Sequence, residues 1–314
     1  MTKEKMLNYY HKLGPLIGLI VLIVVVSSIN NVFLSTGNLL NLLRQVSVNG
    51  LIAFGMTFII LLGGIDLSVG AILGYSSAIM ASLVVAGQPP LVAILACVLV
   101  GALLGTVNGL LVAYGKIAPF IATLATMTIF RGFTLIFTNG NPISGISSGG
   151  NLFHFIGRET VLGVPFPILI FAVIFILLFV LLHKTAFGRK VYAIGGNEKA
   201  AHIVGIHIAK VKILVFGLSG VMSAISGIII TSRLGSAQPN AGISYELDAI
   251  AAVVLGGTSL SGGRGRLFGT LVGVLIIGVL NNGLNILGVS SFYQEVAKGV
   301  VILIAVLLDR RGNK

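Results

Sequence analysis

The sequence predicts an all-α polytopic membrane protein with about ten transmembrane helices, and three observations indicate this class. Hydrophobic residues make up 56% of the 314 positions and charged residues only 9%, whereas soluble domains carry about 25% charged residues. Apolar windows of transmembrane length recur along the chain, and basic residues gather in alternate connections between them. Too few charged side chains remain to cover a surface that faces water.

The ten apolar windows are the predicted spans. They cover residues 14–34, 46–63, 67–86, 91–113, 117–138, 165–182, 211–231, 246–260, 267–286 and 292–308. The first window follows three lysines, as in a signal peptide, but it has no small-residue cleavage site and is interpreted as a retained span. The eighth is short and ends in the sequence GGTSLSGG at residues 256–263. Nine or eleven spans remain alternatives.

The basic residues predict the orientation of the chain. With the N-terminus in the cytoplasm, fifteen of the twenty Lys and Arg residues fall on the cytoplasmic side. Only Arg44, Arg158 and Arg233 fall on the outer side. This asymmetry follows the positive-inside rule, and it also explains the net charge of +12 without nucleic acid as a partner. Both termini and the polar segment 183–212 are therefore predicted to be cytoplasmic.

Glycine spacing predicts close contacts between helices. Gly101, Gly105 and Gly109 recur at four-residue intervals, and small residues on one helix face let backbones approach closely in lipid. Packing within one bundle is the favoured interpretation, and a dimer seam is the alternative. The sequence GGIDLSVG at 63–70 matches residues 256–263 at five of eight positions. This echo predicts an internal repeat with two broken helices, unless so short a match is chance.

The segment 183–212 is the only long hydrophilic stretch between apolar spans. It carries six Lys or Arg residues and a single acid, Glu198. Residues 197–205 have the pattern of a very short helix, with Asn197 as the N-cap and Gly205 at the left-handed turn that ends it. So short a helix is not stable alone in water. We therefore expect it to pack against a partner.

Several chemistries lack their sequence motifs. The chain has no G-x-x-x-x-G-K-[ST] loop for ATP, no H-E-x-x-H and no G-x-S-x-G. Cys97 is the single cysteine, which excludes an internal disulfide and a cysteine metal cluster. The sequence thus predicts a non-catalytic protein with no metal site and no bound cofactor.

Ionisable residues at membrane depth are rare because burying a charge there costs at least ~2.5–3.5 kcal/mol. Asp66 lies between spans two and three and is predicted either to cap the next helix through Ser68 and Val69 or to border a water-filled pathway. Arg131 has no acid nearby in sequence, so it must find a partner from another span or face water. Lys298 is predicted to pair with Glu295 on its own helix.

Uncharged polar side chains are more numerous in the spans. Asn281, Asn282 and Asn285 lie near the outer end of span nine, and Thr123 belongs to a group of threonines in span five. Such donors and acceptors suit the passage of a neutral hydroxylated solute. Alternatively, Thr bonds back to its own helix and Asn bridges two helices. The predicted pathway residues are Asp66, Ser68, Thr123, Arg131, Asn281, Asn282 and Asn285.

Sequence motifs along the chain resemble those of the permease subunits of bacterial sugar ATP-binding-cassette importers, most closely the ribose permeases. The matching motifs are GGIDLSVG (63–70), FIATL (120–124), GGNE (195–198), GSAQP (235–239), YELDAIAAVVLGGTSL (245–260) and LNNGLN (280–285). They extend over most of the chain. Relatives for xylose, galactosides or a furanosyl signal molecule share most of these motifs.

The resemblance implies a type II-like importer permease bundle, with residues 1–314 as one transmembrane domain and 183–210 as a cytoplasmic coupling loop. It implies a homodimer in the bacterial inner membrane, a separate cytoplasmic ATPase that uses ATP and magnesium, and a sugar-binding protein outside. By the same resemblance a coupling helix contacts the ATPase. The implied coupling residues are Asn197, Glu198, Ala200, Ala201, Gly205 and Ile206. An ion-coupled secondary transporter is the alternative class, but the chain offers few membrane acids for a proton relay.

Overall fold

A computed structural model describes residues 3–146 and 152–312 of the chain. Within these ranges it contains thirteen α-helices, a 3₁₀ turn at Asn31–Leu34 and four very short strands. The helices are α1 (Lys3–Ile29), α2 (Thr36–Leu61), α3 (Val69–Val85), α4 (Pro90–Ala113), α5 (Pro119–Thr138), α6 (Leu152–Arg158), α7 (Phe166–Lys184), α8 (Ala186–Gly196), α9 (Glu198–Ile203), α10 (Ile208–Leu234), α11 (Tyr245–Leu255), α12 (Leu267–Ile286) and α13 (Ser291–Gly312). The strands are β1 (Ile143–Ser144), β2 (Thr160–Val161), β3 (Val164–Pro165) and β4 (Ser236–Ala237).

A helix lies in each of the ten predicted windows, but the helices differ in length. In the described ranges, six are long and apolar enough to cross a membrane, namely α2, α4, α5, α7, α10 and α12. The prediction for span eight is wrong, because α11 ends at Leu255 after 11 residues. At 1.5 Å per residue it rises about 17 Å, roughly half of a hydrocarbon core. Gly256 and Gly257 follow it, and Gly257 has a φ of 84°.

Local sequence explains where the helices begin. The hydroxyl of Ser35 accepts a hydrogen bond from the Asn38 amide and caps α2. Proline occupies one of the first two positions of α4, α5 and α7, where the missing N–H leaves no intrahelical bond unmade.

The centre of the bundle is formed by α2 and α10, which are the most buried of the six long helices. Helices α4, α5 and α7 lie at the periphery and expose large apolar side chains, as expected of surfaces that face lipid. Gly101 and Gly109 of α4 lie directly against the α10 backbone, where an added Cβ would be 2.6 Å from Gly220 O and from Ile213 Cα, respectively. The predicted close packing within the bundle is confirmed for these glycines.

The two ends of the bundle differ in character. We call the end that carries α8 and α9 the basic end. The turns at 63–70 and 256–263 both lie there, and they touch, because a Cβ on Gly262 would be 3.0 Å from Gly63 N. At the opposite end, β1 pairs antiparallel with β4, with Ile143 opposite Ala237. The two echo sequences are thus neighbours, while their preceding helices α2 and α11 differ greatly in length.

Candidate functional site

The short helix α9 is the exposed tip of the basic end. Asn197 Oδ1 accepts a hydrogen bond from the Ala200 amide at 3.0 Å, and Gly205 has a φ of 80°. Both predicted end signals are therefore confirmed. Ala201 is buried against the bundle, whereas Glu198 and Ala200 face outward.

The outer face of α9 combines apolar and charged groups. Ile203 is 84% exposed and Val204 is 74% exposed, although both are apolar side chains outside the long hydrophobic spans. Glu198 forms an ion pair with Lys212 at 2.8 Å, which ties the start of α9 to the start of α10. Lys190 and Lys210 line a groove beside it. This arrangement presents a small apolar knob within a basic surface.

A set of glycine contacts, which we call the glycine clasp, joins α8 to the core. It consists of Gly195 and Gly196 at the end of α8, Gly262 and Gly263 of the turn after α11, and Leu61 at the end of α2. The Gly263 amide donates to Leu61 O at 2.9 Å. A Cβ on Gly195 would lie on the Leu61 carbonyl oxygen and 2.7 Å from Gly263 N, so only glycine fits between these backbones.

Tyr192 adds a side-chain link to the clasp. Its hydroxyl donates to Gly265 O at 2.8 Å. Burial raises the pKa of Tyr192, because a buried phenolate loses its hydration, and the hydroxyl therefore stays protonated and able to donate. The turn after α11 thus connects α8 to α2, α11 and α12.

The predicted pathway residues Asp66, Ser68 and Thr123 come together near the basic end. Asp66 Oδ1 accepts from the amide of Ser68 at 2.8 Å and from its hydroxyl at 2.6 Å. Val69 does not join this cap in the described residues. Asn108 donates to the Ser68 hydroxyl at 2.7 Å. Thr123 donates back to Pro119 O of its own helix at 2.8 Å, the alternative predicted for threonine, with Ile65 O further away at 3.2 Å. All four side chains are buried, so in this conformation they hold the α2–α3 break rather than line an open channel.

Arg131 lies in a different place, towards the opposite end. It donates hydrogen bonds to Pro239 O at 2.7 Å and to Ala241 O at 2.9 Å. The negative charge of Glu246 also attracts the Arg131 guanidinium. Its hydrogen-bond partners are therefore backbone carbonyl groups of a loop, rather than a group on another predicted span. Its role here is to hold the loop that precedes α11.

The asparagines of α12 belong to a larger polar cluster near the opposite end. We call it the amide seam, formed by Asn38, Gln45 and Asn49 of α2, Asn281, Asn282 and Asn285 of α12, and Gln294 of α13. Asn38 and Asn282 exchange two hydrogen bonds of 2.9 Å. Gln294 donates to Asn285 at 2.9 Å. The bridging role of asparagine is thus confirmed for Asn282 and Asn285.

One acid lies in the amide seam. Asp248 of α11 is 5% exposed and accepts from Asn49 at 3.3 Å and from Lys298 at 3.3 Å. The predicted pair between Lys298 and Glu295 is wrong, since the lysine forms its ion pair across helices. A carboxylate at 6% side-chain exposure offers the lysine a buried partner, which a neighbour on the exposed helix face does not.

Sequence reasoning missed Gln45, Asn49 and Asp248. A signal was present, because Asn38, Asn41, Gln45 and Asn49 are spaced by three or four residues and fall on one face of α2. The predicted span began at residue 46 and so excluded most of this stripe. The predicted pathway set therefore does not form one site: it divides among the α2–α3 break, the loop before α11 and the amide seam.

No group of three or more His, Cys, Asp or Glu side chains is placed to hold a metal ion within the described residues. The only cysteine of the chain, Cys97, is buried.

A comparison with protein families identifies the class of transporter. A family model described as "Branched-chain amino acid transport system / permease component" matches residues 38–306. The chain belongs to this permease family. The permease is accordingly a multi-pass helical membrane protein.

Curated relatives share nearly the whole length of the permease. It is 62% identical to the ribose import permease protein RbsC of Bacillus subtilis, over 99% of this chain and 98% of that protein. It is 55% identical to RbsC of Haemophilus influenzae, over 93% and 91%. It is 42% identical to the D-allose transport system permease protein AlsC of Escherichia coli, over 98% and 94%. No solved structure matches the permease significantly.

Proposed function

We propose that the permease is the membrane subunit of an ATP-driven importer for ribose. The observation that carries this proposal is the 62% identity, over nearly both full lengths, to a protein named as a ribose import permease. In this proposal a separate ATPase subunit uses ATP and magnesium, which agrees with the lack of a G-x-x-x-x-G-K-[ST] motif in the sequence. The permease itself then performs no covalent chemistry and binds no cofactor.

The coupling element of this proposal is α9 with its flanking turn, residues 197–206. Its exposed apolar knob, Ile203 and Val204, is the kind of surface that a partner protein covers. Pushing on α9 moves α8, and the glycine clasp passes the movement to α2, α11 and α12. Asn197, Glu198 and Gly205 shape α9 rather than form the knob itself.

The remaining features complete the proposed assembly. The basic end faces the cytoplasm of a bacterial inner membrane together with both termini, as the positive-inside rule requires. Two copies of the permease, each with about ten spans in a type II-like bundle, surround the pathway. A soluble sugar-binding protein delivers ribose to the opposite end. The amide seam is the part of the pathway that suits a neutral sugar, because amide side chains donate and accept without a net charge.

Reconstitution tests the function directly. The permease, its ATPase and its binding protein are placed in liposomes, and uptake of radiolabelled ribose is measured with ATP, without ATP and with vanadate. We expect uptake only with ATP and without vanadate. Uptake that persists without the ATPase would instead indicate an ion-coupled transporter.

A second candidate substrate is another monosaccharide. The relatives named for D-allose and xylose transport are 42% and 40% identical to the permease, so the motifs extend beyond ribose. Competition of labelled ribose uptake by unlabelled allose and xylose distinguishes the sugars. Stronger competition by either sugar than by ribose itself would overturn the ribose assignment.

A further inference from the structure

A small pocket lies inside the amide seam, where α2, α11 and α12 meet. Its polar wall consists of Gln45, Asn49, Asp248 and Asn281. Its apolar wall includes Val46, Val274 and Ile277. A sugar has the same two-sided character, with hydroxyl groups around the edge and C–H groups on the ring faces. Pockets for small polar ligands combine these two kinds of wall.

The hydrogen-bonding capacity of the polar wall is only partly used. The Oδ1 atom of Asn281 is buried and has no hydrogen-bond partner in the described ranges, although Asn281 also lies within hydrogen-bonding reach of Asp248. The amide of Gln45 makes no hydrogen bond to any described residue. Buried polar groups are normally satisfied, so this wall has room for donors and acceptors from a ligand.

Asp248 gives the pocket its chemical preference. Both the Asn49 and Lys298 contacts are made to Oδ2 at 3.3 Å, which is long for a charge-assisted bond. A carboxylate has about four acceptor positions. Two adjacent hydroxyl groups of a sugar can donate to it together, and the neighbouring amides can bond the same hydroxyl oxygens.

The cavity measures about 20 Å³, which is room for about one water molecule. It is too small for a pentose, so the seam is closed in this conformation. Lys298 does not line the pocket, but this residue of α13 reaches across to Asp248 of α11 and occupies one of its acceptor positions. Helix α13 is the exposed neighbour here, with Phe292 80% and Val296 64% exposed. Moving α13 away from α11 would free Asp248 from Lys298, and separation of α2, α11 and α12 would widen the pocket that they line.

We propose that the pocket around Asp248 is a transient binding subsite for adjacent hydroxyl groups of the transported sugar. The subsite rests on the proposed function as a sugar permease. It adds a residue outside the predicted pathway set and a specific chemistry for the amide seam.

Cysteine protection tests the subsite in the complete transporter. Val274→Cys places a near-isosteric thiol in the apolar wall without removing a polar partner, and Val46→Cys is a second reporter on α2. The natural Cys97 is buried and serves as the background. Labelling by a small methanethiosulfonate reagent is followed during ATP turnover, with and without ribose. We expect ribose to slow labelling of both reporters.

Further substitutions in the reporter background identify the group that binds. Asp248→Asn should raise the ribose concentration that gives half-maximal protection by about tenfold, the effect of losing one hydrogen bond to a charged group. Gln45→Leu should weaken protection without breaking any side-chain hydrogen bond of the described fold. Glu159→Gln is the matched control, because it removes an exposed acid that neither lines the pocket nor is among the charges that act on Asp248, and it should leave protection unchanged.

The outcomes separate the subsite from the proposed function. If ribose uptake proceeds but neither reporter is labelled or protected, the subsite is wrong and the importer proposal stands. Protection that survives both Asp248→Asn and Gln45→Leu would also overturn the subsite. If the unmodified transporter takes up no sugar at all, the proposed function fails, and the subsite fails with it.

Discussion

The glycine clasp leads to a sharp prediction at two adjacent glycines, Gly195 and Gly196. In Gly195→Ala, the new Cβ would be 2.9 Å from the carbonyl carbon of Leu61 and 2.7 Å from Gly263 N. Because non-bonded carbon atoms rest ~3.5–4.0 Å apart, the segments must separate by roughly 1 Å. That shift breaks the 2.9 Å hydrogen bond from Gly263 to Leu61.

The expected cost follows from these two effects. Overpacking costs about 1–3 kcal/mol and the lost hydrogen bond about 1 kcal/mol, so the clasp should lose about 2–4 kcal/mol. In Gly196→Ala, no heavy atom lies within 4 Å of the added Cβ. The gain in helix propensity should make that variant neutral or more stable, by up to ~1 kcal/mol.

Two assays compare the variants. Thermal unfolding is followed with a thiol-reactive fluorophore, since the single cysteine is buried and reacts only when the bundle opens. Ribose uptake and ATPase activity are measured in reconstituted transporter. Gly195→Ala should unfold at a lower temperature and lose ATP-dependent ribose uptake. Gly196→Ala should match the natural permease in both unfolding temperature and uptake. Equal behaviour of the two variants in both assays would refute the clasp as a mechanical link.

Four other substitutions have defined outcomes. Tyr192→Phe removes the bond to Gly265 and should cost about 1 kcal/mol, seen as a lower unfolding temperature; an unchanged temperature contradicts it. Gly205→Val places a β-branched residue at a φ of 80° and should abolish uptake while the amount in the membrane fraction stays normal. Arg131→Gln frees two carbonyl acceptors and should destabilise the fold by about 2 kcal/mol or more, with Arg131→Lys less affected. Asp66→Asn keeps the Oδ1 acceptor for Ser68 and should retain stability and uptake; loss of uptake at normal stability would return Asp66 to the pathway.

Hydropathy predicted the long helices because a membrane demands a continuous apolar segment, and the α12 window matches Leu267–Ile286 residue for residue. The short helix α9 was also predictable, since its Asn197 cap and Gly205 turn are local signals. The length of α11 was not, because its apolar pattern runs on through a glycine pair that breaks the helix. The apolar content of a segment indicates that it is shielded from water, but it does not show where the helix within that segment ends.

The amide seam was only partly predictable because its contacts join distant parts of the chain. Asn49 and Asp248 are 199 positions apart, and Asp248 and Lys298 are 50 apart. A single sequence carries no sign of such pairs, so local spacing predicts the nearest acid, Glu295, as the partner of Lys298. The asparagines of α12 were found because three of them cluster within five residues.

The contact between α4 and α10 has a consequence for how the bundle rearranges. Backbone meets backbone at Gly101 and Gly109, so these two positions of α4 have no side chain that could re-pack if one helix slid along the other. We therefore expect α4 and α10 to move together as one rigid body. Movement is left to parts joined by exchangeable polar links, such as α13, whose Lys298 binds Asp248 and whose Gln294 binds Asn285.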